Sequence, residues 1–226
     1  LSPLVIARVL REDRWYRGYM ICMFAMGFGN LMLHPLLTIA LADEFNVGYA
    51  SGILVSTVLP LLMMIVAIPF WSRRLERMHV IQFRAVHVWV FAAASSLTLL
   101  GVMFHLLPLL YLSSLCLGIG FGGGVLAWNL GHQHFAPPHR DAEYMGVHIT
   151  LTGVRGIIGP ILGVQLYGAL AGMISQTQAL SVCFSICLLT NIVGASGFVL
   201  LLRSRNRAQS LAASAQETNP ELATVA

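Results

Sequence analysis

Six apolar stretches dictate what this chain can become: 16–41, 49–70, 83–104, 106–133, 142–174 and 179–202. Each approaches or exceeds the roughly 20 residues that a helix needs to cross a bilayer. Backbone N–H and C=O groups in hydrocarbon find no water, so each stretch has to bond internally as a helix. The expected fold is all-α, a polytopic membrane protein with six transmembrane helices in one domain over 16–202. The chain is 57% hydrophobic and 10% charged, with a mean hydropathy of +0.78, too apolar for a soluble domain of 226 residues. Pro35, Pro60 and Pro160 fall inside spans and predict kinks. Residues 1–15 read as a cytoplasmic linker, and 203–226, polar and low in aromatics, as a disordered tail. Leu1 stands where a start methionine would, and no signal-peptide pattern follows, so the chain is expected to be a piece of a longer protein.

The basic residues orient the spans. All 13 are arginine, and 12 of them fall before the first span, between the second and third, between the fourth and fifth, or after the sixth. The other three connections hold none, and the first of these carries Asp43 and Glu44. By the positive-inside rule both termini are cytoplasmic, in a plasma membrane or bacterial inner membrane. With the arginines at span ends and not along one face, a nucleic-acid partner has no support. Cys22, Cys116, Cys183 and Cys187 lie within spans without CxxC spacing and read as small packing residues.

Arg155 is the exception, lying near the middle of the fifth stretch. A guanidinium at that depth costs about 2.5–3.5 kcal/mol on insertion scales, so it must face protein or a wet cavity. His148, Thr152, Arg155 and Gly159 follow one another at helical spacing on one face. Arg155 is a candidate for binding an anionic substrate group or for a switching ion pair; hydrogen bonding to neighbouring backbone is the other reading. Gly27, Asn30, His34 and Thr38 make a second polar stripe beside Pro35, with Asn30 and His34 as substrate-side candidates or interhelical hydrogen-bond partners. No Asp or Glu lies in a span core, which leaves His34 and His148 as the deep protonatable groups for a coupling proton.

Two further patterns concern packing and metal. Gly118 with Gly122, and Gly120 with Gly124, give two small-xxx-small faces; a phosphate loop is disfavoured because the run is apolar and lacks GK[ST]. His132, His134, His139 and His148, with Asp141 and Glu143, form a possible ligand set for zinc or iron, and a six-helix metal-binding protein or metalloenzyme is the competing reading.

The order of parts resembles the C-terminal six-helix half of a major facilitator superfamily transporter. Leu10 to Pro35 is similar to the entry from the central linker into the seventh helix of many bacterial members. PFWSRRLERM, over 69–78, resembles the basic G-x-L-x-D-R-x-G-R-R loop. Arg74 and Arg77 fit that pattern, whereas Arg73 stands where the family has aspartate and Glu76 where it has glycine. GIIGPILG, over 156–163, resembles the family's Gly-Pro helix motif, with Gly159 and Pro160 at its centre. The resemblance implies a secondary transporter without covalent chemistry, cofactor or resident metal, moving a small molecule by alternating access at a midplane site. It also implies a partner for this chain, an N-terminal six-helix half or a second copy.

Overall fold

A computed structural model describes residues 2–218, and their helices account for six spans. Helix α1 (Pro3–Glu12) precedes them, starting with its proline at the first turn, where the missing N–H costs nothing. The first span is α2 (Arg14–Ile39) continued by a π-helical turn at Ala40–Glu44; Asp13 caps it, its Oδ1 accepting from Trp15 N at 2.9 Å and Tyr16 N at 2.8 Å. The second joins α3 (Tyr49–Ile53) to α4 (Leu59–Leu75) through a π-helical turn at Leu54–Val58. Pro60 lacks the N–H that would bond four residues back, and the widened turn ahead of it accommodates the loss. Helix α5 (Val80–His87) and α6 (Trp89–Met103) form the third span, α7 (Leu107–Leu130) the fourth, α8 (Asp141–Ala171) the fifth and α9 (Gln176–Thr218) the sixth. Helices α2 and α8 run on through Pro35 and Pro160 as α-helix.

Two terminal readings change. Residues 3–12, expected as linker, are the helix α1. The expected tail is helical to Thr218, because 198–218 contains neither Gly nor Pro and is rich in Ala, Arg, Gln and Leu, all strong helix formers. The remainder of that tail, 219–226, lies outside the described residues.

Helix α2 packs on α8 and α9, α7 packs on α4 and α6, and α6 meets α9. Exchanging the first three spans for the last three maps these neighbours onto one another, the signature of a nested three-helix repeat. Close approach depends on glycine. A Cβ on Gly118 would lie 2.5 Å from Pro60 O, and one on Gly122 2.9 Å from Met64 O, so this pair seats α7 against α4. Gly120 and Gly124 turn instead to Phe91 of α6, where a Cβ would lie at 2.8 and 3.6 Å, and a Cβ on Gly159 of α8 would lie 3.3 Å from Phe28 O.

Candidate functional site

Arg155 is the fifteenth residue of the 31 in α8, at mid-span. Its side chain crosses to α2, where Nη1 donates to Met23 O, and Nη2 donates to Thr152 Oγ1 at 3.3 Å. It lies over Gly27: a Cβ there would sit 2.2 Å from Nη1 and 2.3 Å from Cζ. The spacing of Met23 and Gly27 is one helical turn, so the carbonyl that accepts the guanidinium and the gap that admits it belong to one face.

This guanidinium borders an open cavity of about 160 Å³, whose polar lining includes Asn30, Arg84, Thr152 and Arg155, with Phe91, Phe121 and Trp128 among its apolar walls. Arg84 is the unexpected member. By sequence it stands at the edge of the 83–104 stretch and counts with Arg73, Arg74 and Arg77 at the connection between the second and third spans. In the structure it is 1% exposed and belongs to α5, leaving 11 arginines at the end of the bundle that carries both termini. The helix begins at Val80, not at 83, because His79 caps it, its Nδ1 accepting from Ile81 N at 3.2 Å. That start places Arg84, His87 and Phe91 on one inward face.

His87 fixes Arg84. Gly120 O can only accept, so the His87 ring nitrogen 2.7 Å from it, Nε2, carries the proton; Nδ1 is then free to accept from Arg84 Nη1 at 3.3 Å. Arg84 Nη2 also reaches Gly124 O at 3.5 Å. Among the described residues neither Arg84 nor Arg155 pairs with a carboxylate, and the Nε of each has no protein partner. Asn30 Oδ1 is likewise buried and unpaired. Two guanidiniums held by carbonyls and an imidazole keep their charge uncompensated, and the cavity can therefore stabilise an anion at low dielectric cost.

His148 is fully buried, its ring 5.7 Å from that of Trp128, and neither ring nitrogen has a partner. His34 lies further along α2 and is exposed, with Thr38 Oγ1 donating to its carbonyl at 3.3 Å. The histidines proposed as metal ligands do not converge. His132 pairs with Asp141 at 3.2 Å, His134 lies against the His79 ring, His139 is exposed and His148 faces Trp128. No group of three or more metal-ligating side chains occurs among the described residues. The spacing misled because 129–148 spans a helix end, a single 3₁₀ turn and a helix start, which point successive histidines in different directions.

Both ends of the bundle are tied. At the end carrying the termini, Arg140 pairs with Glu12 at 2.7 Å and Glu143 at 2.8 Å, and Glu143 pairs with Arg8 at 2.8 Å. The hydrogen bonds that Arg140 donates to Glu12 and then to Glu143 raise its guanidinium above the ordinary value. Tyr16 OH donates to Tyr144 O at 2.6 Å, and Tyr144 OH to Asp13 Oδ2 at 3.3 Å. His79 Nε2 donates to His134 O at 3.3 Å, and burial, helped by Arg205 and His134, lowers this imidazole to about 4. At the other end Glu44 accepts from Thr177 and lies 3.3 Å from His105. In the basic loop, Ser72 donates to Glu76 at 3.0 Å and Arg74 stacks over Phe70, while Arg73 and Arg77 are exposed.

A sequence model described as Major Facilitator Superfamily matches residues 19–225. Compared with curated proteins and with solved structures, the chain finds no match.

Proposed function

The chain belongs to the major facilitator superfamily and is a multi-pass membrane transporter of that type, and from this premise we propose that the cavity between α2, α5, α6, α7 and α8 is its substrate site. The single observation that supports the reading is the pair of buried arginines, without carboxylate partners among the described residues, lining an open cavity in a bundle whose other buried residues are mostly apolar. Substrate binds there and is released after the six-helix unit rocks against a second such unit, an N-terminal half or another copy. A carboxylate for proton coupling has to come from that second unit, since none lines this cavity among the described residues; His34, His87 and His148 are protonatable groups on this side.

A carrier saturates and exchanges, whereas a channel does neither. In vesicles containing the full-length protein, uptake should saturate and be accelerated by unlabelled substrate on the far side. Flux that rises linearly with concentration and shows no such acceleration rules out alternating access.

Topology follows from the arginines, with 11 at one end of the bundle and none in the connections at the other. Positions 74, 138 and 207 are expected in the cytoplasm of a bacterial inner membrane, and 43, 105 and 175 outside. Cys22, Cys116, Cys183 and Cys187 are all free and can be removed, so single cysteines can be introduced and labelled with an impermeant reagent. Labelling at 138 but not at 43 in intact cells reverses the orientation.

A further inference from the structure

We infer that the cavity binds a small organic anion, its oxyanion seated between Arg84 and Arg155 and its apolar body against Phe91, Phe121 and Trp128. Three observations converge. Arg84 and Arg155 both line the cavity, on α5 and α8 respectively, and the Nε of each is buried without a protein partner. No acidic residue lines the cavity among the described residues, so none of these neutralises the pair. The rest of the lining is aromatic and aliphatic apart from Asn30 and Thr152, which suits an apolar body better than a densely hydroxylated solute such as a sugar. At about 160 Å³ the space equals the liquid volume of about five waters, enough for a head group and part of a ring. A planar, bidentate donor suits carboxylate and phosphonate oxygens alike. His87 holds Arg84 as Met23 and Thr152 hold Arg155, so both donors are positioned before the ligand arrives.

The assignment rests on the transport reading, and equilibrium binding separates the two. Trp128 is in the wall, and replacing every other tryptophan of the full-length protein by phenylalanine, Trp15, Trp71 and Trp89 of this chain among them, leaves its fluorescence as the sole tryptophan signal. The full-length protein in detergent is titrated with benzoate and phenylphosphonate, and with benzamide as the neutral match in size and shape. The expected result is saturable quenching by at least one anion, with benzamide at least tenfold weaker. Arg84→Gln and Arg155→Gln should each weaken the anion at least tenfold and leave benzamide unchanged. With the single-tryptophan protein shown to be folded by its circular dichroism, equal affinity for benzoate and benzamide, or no quenching by either anion, overturns the inference without either arginine variant having to fold. Anion binding without saturable flux leaves the site standing and removes the transport reading. Saturable flux of a neutral solute that is insensitive to both arginine substitutions does the reverse.

Discussion

Arg155→Met is expected to lower initial transport by about ten- to a hundredfold at matched protein levels, while the protein still inserts and folds. Methionine keeps a comparable length and removes the charge, so insertion becomes easier by up to about 2.5–3.5 kcal/mol. What is lost, on the proposed assignment of the cavity, is a charge-assisted contact to substrate. Hydrogen bonds to charged groups contribute about 1.5–3 kcal/mol, and each 1.4 kcal/mol is a factor of ten. The residue does carry a packing role, since it bridges α8 to Met23 O on α2. That carbonyl belongs to a helical turn, and its loss of one extra donor is small beside the gain from removing a buried charge. Arg155→Lys keeps the charge but offers a single ammonium in place of a planar fork, and should recover only part of the rate. Initial uptake or efflux in vesicles reads all three proteins. Wild-type flux from Arg155→Met makes the residue interhelical packing alone.

How much of this site was legible beforehand depended on distance from a span end. Arg155 is flanked on both sides by more than ten uncharged residues, so no choice of boundary can move it into water. Arg84 sits four residues after Val80, and a boundary set three residues late left it at the very edge of the span, where it counted with Arg73, Arg74 and Arg77 as a connection arginine. The available signal was His79, an acceptor at the N-cap, together with the spacing of Arg84, His87 and Phe91. Hydropathy alone identified the six spans because the bilayer imposes one length and one backbone solution on all of them. It says nothing about where a polar helix stops, which is why α9 outran the span and α1 formed within the expected linker. The histidine cluster misled for a related reason. Proximity in sequence across a helix–turn–helix junction is not proximity of side chains.

Gly27→Ala should reproduce most of the Arg155 defect without touching the arginine. The new methyl would occupy the position 2.2 Å from Nη1 and 2.3 Å from Cζ, so the guanidinium must leave the surface of α2 and lose Met23 O. Long side chains move at modest cost, and alanine is about 0.8–1.0 kcal/mol better than glycine in a helix interior. The folded state should therefore survive with Arg155 displaced, and transport should fall about tenfold, equivalent to roughly 1.4 kcal/mol of misplaced binding. Gly168→Ala is the control, because a Cβ at Gly168 of α8 meets nothing within 4 Å. The decisive measurement is the double variant. If Gly27 acts only by seating the guanidinium, Gly27→Ala adds nothing once Arg155 is methionine, and the two effects fail to sum by about the whole of the smaller one. Additive losses would mean that Gly27 matters for the approach of helices and not for the arginine, and wild-type transport by Gly27→Ala would mean that the position of the charge is immaterial.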